Sequence, residues 1–176
     1  MLKKIVQKDA RVLRQLTKEV PTQKITSPEI KKIIKEMSAA LKSQSDGVAL
    51  AAPQIGYPLK IFVVSGRIFH PDFARGETIT IPDNEIPEDL VFINPVISKL
   101  SREKSLVWEG CLSTRWLYCK ALRSQKATIT AYDPKGKKII RGASGLLAQI
   151  FQHETEHLKG VLFIDHAKEI REELPK

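Results

Sequence analysis

The run GLLAQIFQHETEHL, residues 145–158, constrains this chain more than any other segment. After Gly145 it is built of helix formers, Ser144 precedes it as a candidate N-cap, and Gly160 is placed to end it. Leu146, Leu147, Ile150, Phe151 and Leu158 spread around more than one face. A helix apolar on several faces belongs inside a domain, so the rest of the chain must wrap it. Within it lies His153-Glu154-Thr155-Glu156-His157. Four-residue spacing sets His153 and His157 one turn apart on one face, where two imidazoles can reach a single ion with Glu154 beside them. A buried His pair and carboxylate are costly unless paired or metal-bound. A carboxylate so placed suits metal-assisted hydrolysis, taking a proton from water that an ion has acidified towards a pKa of ~7 and passing it to a leaving group. The competing reading is a pair of polar residues facing solvent.

At 176 residues the chain suits one domain, 1–176. Its hydrophobic and charged shares, 42% and 28%, are those of a globular protein and exclude a disordered or fibrous class. In SPEIKKIIKEMSAAL, Ser27 is a candidate N-cap, Pro28 fits the first helical position, and Ile30, Ile33, Ile34, Met37 and Leu41 make one apolar face. The Gly and Pro of DGVALAAPQIGYP mark an irregular segment. Residues 60–65 and 90–94 are β-branched and aromatic and predict strands, with 66–89 as an inserted loop of little core. Residues 127–133, the turn DPKG and the following KKIIRG predict a hairpin. The expected class is α+β, a single domain with antiparallel β-sheets packed around a central HExxH-bearing helix.

No apolar run approaches the roughly 20 residues that cross a bilayer, and the basic N-terminus lacks the apolar stretch of a secretory signal, so the expected location is cytoplasmic. Cys111 and Cys119 fit free thiols in a reducing compartment better than a disulfide. The net charge of +9 is uneven, since residues 1–45 hold eleven Lys/Arg against four Asp/Glu. Such an excess favours anionic partners such as RNA or the ribosome surface, although without interleaved stacking aromatics it also reads as a solvated helix face.

A metal on His153 and His157 needs a third protein ligand. In the spacing HExxHxxGxxH the third ligand would fall on Phe163, and an arene cannot ligate. Asp165 and His166 lie within reach along the chain and stay open. The tail KEIREELPK, with Glu169, Glu172 and Glu173, looks too short for a second ligand-bearing helix. Cys111 is the remaining soft donor, with a buried structural cysteine as the competing reading; Cys119 suits that structural role better.

Together GVALAAPQIG (47–56), EGCLS (109–113) and QHETEHL (152–158) resemble, in order and spacing, the three signature motifs of peptide deformylases. The resemblance spans nearly the whole chain apart from 66–89. It implies Cys111, His153 and His157 as ligands of one divalent metal ion, Glu154 as general acid/base, and the Gln54 amide with the backbone N–H of Leu112 as oxyanion donors. It implies removal of the formyl group from formyl-methionine of nascent polypeptides, with Fe²⁺ in the active form and Zn²⁺, Ni²⁺ or Co²⁺ as possible occupants. A zinc peptidase of another lineage and a weakly catalytic relative on the ribosome are the alternatives. Gly47, Val48 and Ala49 would receive the peptide as an added strand. Glu109 and Gly110 would lie beside it, and Val48, Val107, Leu146 and Ile150 would line the methionine pocket. Neither a membrane nor DNA is expected as a partner. Two positions depart from the family pattern. Ala49 replaces a glycine, and were a positive φ required there, alanine would be strained by roughly 1 kcal/mol. Glu156 replaces an aspartate, which keeps the charge but lengthens the reach and so puts in question the pairing with an arginine such as Arg123. The stretch STRWLY (113–118) is also unusual, and Arg115 and Trp116 are candidate rim residues.

Overall fold

Apolar residues at helical spacing after a capped start make α1, Pro28–Lys42. The Ser27 hydroxyl accepts from the Ile30 N–H at 3.3 Å, and Ile30, Ile33, Met37, Ala40 and Leu41 are buried on one face. The structure is a computed structural model that describes residues 2–74 and 81–174. After α1 come β1 (Ala49–Ala51), β2 (Ile61–Val64), α2 (Pro71–Ala74), β3 (Leu90–Leu100), β4 (Lys104–Gly110), β5 (Leu117–Ser124), β6 (Lys126–Tyr132), β7 (Lys138–Ser144), α3 (Gly145–His157) and β8 (Lys168–Glu172).

The strands form two antiparallel sheets, one ordered β1-β2-β3-β6-β7 and one ordered β4-β5-β8. β2 explains the layering. Its unbroken IFVV is buried throughout, as a strand covered on both faces requires. Ile61 and Val63 join the core under α1, while Phe62 and Val64 face the core under α3. In the second core Phe62 stacks on Phe92 with centroids 4.8 Å apart, and Phe92 meets Phe151 of α3 edge-on at 5.1 Å. Such aromatic pairs contribute about 0.5–1.5 kcal/mol each beyond their burial. They fix α3, and with it the histidines, against a rigid sheet.

The α+β class with antiparallel sheets around the HExxH helix is the observed one. Ser144 stands at the N-cap of α3, but its side chain makes no capping bond. The helix ends at His157, and Gly160, at φ +75°, carries the turn that follows. A Cβ there would also lie 2.8 Å from the Arg14 carbonyl, so only glycine fits. β3 runs past the expected boundary through Pro95. It does so with a register shift between Ile93 and Val96, which removes the need for a proline N–H. Asn94, at φ 51°, uses its amide to pair with both the N–H and the C=O of Val20, at 2.8 and 2.7 Å. The stretch 66–89 holds two one-turn helices and α2, while residues 75–80 of it lie outside the described residues. Its ends meet, because the Gly66 N–H donates to the Asp89 carboxylate at 3.1 Å. Among the described residues no helix is long and apolar enough to cross a membrane.

Candidate metal centre

The buried second half of α3 presents His153 and His157 on one face, with ring centroids 4.9 Å apart. Cys111 reaches them from the turn after β4, where the Thr114 N–H donates to the Cys111 carbonyl at 3.0 Å. One donor atom each from Cys111, His153 and His157 lies within 4.8 Å of the other two. Donors about 2.0–2.3 Å from one tetrahedral ion stand roughly 3.5 Å apart, so a single ion fits between these three. Nε2 of His157 faces the Cys111 sulfur at 3.2 Å, which supports that fit, and one buried Glu154 oxygen has no hydrogen-bond partner among the described residues. Burial pushes the Glu154 carboxyl up to about 7, where it can hold or release a proton near neutrality.

Behind the histidines lies a chain of charges. Nδ1 of His153 is 3.0 Å from a Glu109 oxygen, which leaves Nε2 for an ion. Arg123 donates to both Glu109 oxygens at 2.6 and 2.9 Å, and to both Glu156 oxygens at the same two distances. Burial would raise the Glu109 pKa, but Arg123 and His153 overcome it and hold the group at about 2. On His153 burial opposes the cation, yet the Cys111 sulfur and Glu109 outweigh it and raise the pKa. Burial lowers that of His157, and His153 lowers it further. Glu156 therefore reaches Arg123, as its longer side chain permits, and its carboxylate also meets Nε2 of His166 at 3.1 Å.

The other candidates for the third ligand are engaged elsewhere. Asp165 pairs with Arg14 at 2.6 Å and accepts from the Leu162 N–H, and His166 is turned to Glu156. Neither belongs to the donor cluster. Phe163 is buried against the His153 ring at 5.6 Å. Glu169 and Glu172 lie in β8, a strand rather than a second helix. Both cysteines are free, and Cys119 is buried on β5 opposite Glu109.

A cleft of about 280 Å³ opens onto the cluster. Gln54, 1% exposed, is held by its Oε1 accepting from the Ala51 N–H at 2.7 Å. Its Nε2 donates to Ser113 at 3.1 Å and points to the Cys111 sulfur at 3.5 Å. Gly47, Val48, Ala49, Gly110, Leu112, Leu146, Ile150 and Glu154 all line the cleft. Gly110 has no room for a side chain, because a Cβ would lie 2.7 Å from the Tyr118 ring. Ala49 sits in β1 opposite Val64, and the only non-glycine residues with positive φ among those described are Asn94 and Glu169. The strain considered for Ala49 is absent. Val107 shares its face of β4 with Glu109, and it lines an adjoining depression with Arg123, Leu146 and Gln149, the last two of which also border the cleft. Glu109 does border the cleft, but its carboxylate is committed to His153 and Arg123. Sequence reasoning missed Trp108, Thr114, Tyr118 and Gln149 as lining residues, and Gln7, whose Nε2 donates to the Leu112 carbonyl at 3.1 Å.

Fold and donor set together define an α+β chain built around a Cys/His/His cluster that could hold one ion, with a buried carboxylate beside it. The polypeptide deformylase family model matches residues 2–173. The chain is 38% identical to a chloroplastic/mitochondrial peptide deformylase 1A of Arabidopsis thaliana over 93% of its own length and 61% of that relative's. It is 34% identical to a peptide deformylase of Mesorhizobium japonicum over 93% and 82% of the two chains. A crystal structure of a peptide deformylase from Thermotoga maritima superposes with a TM-score of 0.78 at 29% identity, covering 96% of this chain and 99% of that one. The chain belongs to the polypeptide deformylase family. It spans less than two-thirds of the Arabidopsis relative, at 61%.

Proposed function

We propose that this chain hydrolyses the formyl amide of formyl-methionine at the start of newly made polypeptides, releasing formate and a free amine. The observation that carries the reading is the convergence, in one cleft, of the Cys111, His153 and His157 donors with the Glu154 carboxylate and the Gln54 amide. When bound, a divalent ion would supply Lewis-acid polarisation and an acidified water. The free edge of β1 pairs with the peptide backbone, since β1 is a terminal strand of its sheet. Leu146, at the exposed rim, and Ile150, within, cover the methionine side chain with Val48. The Gln54 amide and the Leu112 N–H donate to the formyl oxygen as charge grows on it, each such donor supplying a few kcal/mol. Glu154 takes the proton of the attacking water and returns it to the amide nitrogen as the C–N bond breaks. Glu109 and Arg123 keep the His153 ring oriented.

We further propose Fe²⁺ as the working ion, although one thiolate and two imidazoles accept Zn²⁺, Ni²⁺ and Co²⁺ as well, and by affinity alone would favour zinc over iron. Two free thiols fit a reducing, cytoplasmic setting. All eleven Lys and Arg of residues 1–45 are exposed, which supports contact with the ribosome surface. Formate release from a formyl-Met peptide by protein loaded with Fe²⁺, Ni²⁺ or Co²⁺ tests the activity, and folded protein inactive with all three would defeat it. Equal and stable activity from aerobic and anaerobic iron preparations would count against iron.

A further inference from the structure

Two walls of the cleft are tied to each other by a pair of side chains that the proposed chemistry does not use. Arg115 follows the turn that carries Cys111 and Leu112, and Asp46 immediately precedes Gly47 and β1. The Arg115 guanidinium meets the Asp46 carboxylate as a two-pronged fork, at 2.5 and 2.9 Å, and donates to the Gln44 side-chain oxygen at 3.0 Å. Its flat face lies over the Trp116 ring, 4.7 Å from the centroid. Its backbone N–H donates at 3.4 Å to Gln7, the residue that also holds the Leu112 carbonyl. The Arg115 side chain is 20% exposed and that of Asp46 51%, and both border the cleft. The carboxyl of Asp46 is held below its usual range by Arg115, with Arg67 adding to the effect, so the pair is ionised at neutral pH. A planar fork of this kind fixes orientation as well as distance.

We propose that Arg115 and Asp46 form a clasp across the cleft, holding the free edge of β1 and the Cys111 turn at the separation an extended peptide needs between them. Both are positioning residues. An exposed pair adds little to global stability, so its effect is local. Without it, the 44–49 segment must be ordered by the incoming peptide, which weakens binding and leaves the reacting atoms untouched. The inference rests on the peptide-binding part of the proposed function.

The test is steady-state turnover of an uncharged formyl-Met peptide by metal-loaded protein, with binding of a fluorescein-labelled formyl-Met peptide measured in parallel. Asp46→Asn and Arg115→Gln are each expected to raise KM and the peptide Kd roughly fivefold, with kcat within about twofold and metal content unchanged. The charge-swapped double variant, Asp46→Arg with Arg115→Asp, should recover most of that loss. In the unaltered protein, raising salt from about 0.05 to 0.5 M should weaken peptide binding, and in Asp46→Asn it should not. Unchanged KM and Kd in both single variants, a fall in kcat alone, or a swap no better than the singles would overturn the clasp. So would Arg115→Gln weakening only acidic peptides, which would make Arg115 a reader of substrate charge. Intact binding without formate release would fail the activity and leave the clasp to be judged by Kd.

Discussion

Arg123 is the residue on which the site's charges balance. Its side chain is 4% exposed and serves Glu109, at 2% exposure, and Glu156 together. Removing it leaves buried Glu109 with only the His153 ring as partner, so Arg123→Met should lower unfolding free energy by about 3–5 kcal/mol in urea titrations. It should also weaken metal binding by roughly 10–100-fold, read by competition with a chelating dye, because Glu109 then loses its hold on His153. Lysine cannot replace a fork that binds two carboxylates, so Arg123→Lys should recover only a small part of either loss. Cys119 titrates outside the site. Burial pushes its thiol up to about 11, with Glu109 adding to the effect. A pKa raised above the unfolded value of about 9 contributes stability that is fully present below pH 9 and lost as pH rises through 11. Cys119→Ala should therefore show a flatter decline over that window in chemical denaturation, and native Cys119 should resist alkylation at pH 8.

Elements that bury one face in a regular pattern are legible in the amino-acid sequence. α1 follows from its cap and apolar spacing, and Ser27→Ala should cost about 1 kcal/mol, a fall in Tm of about 2–4 °C by calorimetry. β2, β6, β7 and α3 follow likewise from β-branched runs, a turn and a helix-forming stretch. β1 is hidden because three residues flanked by Gly and Pro carry no periodic signal, although its register against β2 is regular. β8 reads as tail for a better reason, since all five of its residues are exposed. Nothing in KEIRE asks for a strand; β5 offers an unpaired edge, and the pairing is imposed by tertiary structure. β4 and β5 face solvent on one side with Leu106, Trp108 and Leu122, which blurs the alternation that marks a half-buried strand.

At the scale of the whole molecule, the proposed ligands are legible because two of them share one helix turn, and the third, Cys111, lies in a motif that resembles the family's. The partners that orient them mostly are not. Gln7 and Arg115 stand 108 residues apart, Asp46 and Arg115 69, and Glu109 and His153 44, so no local pattern links them. Only the packing of α3 between two sheets brings these segments to one cleft. The same closure predicts that the ion stabilises the fold. It binds the native arrangement far better than the open chain, so chelation should lower Tm and metal in excess should restore it, by calorimetry.

The central claim is that Glu154 moves the proton while Cys111, His153 and His157 hold the ion. Glu154→Gln keeps the shape and removes the base. The decisive measurement is formate release from a formyl-Met peptide by this variant, carrying one equivalent of metal, beside the unaltered protein. The account predicts retained metal and a rate lower by roughly 10²–10⁴-fold. Full activity in the variant, or a loss of activity explained entirely by lost metal, would contradict it.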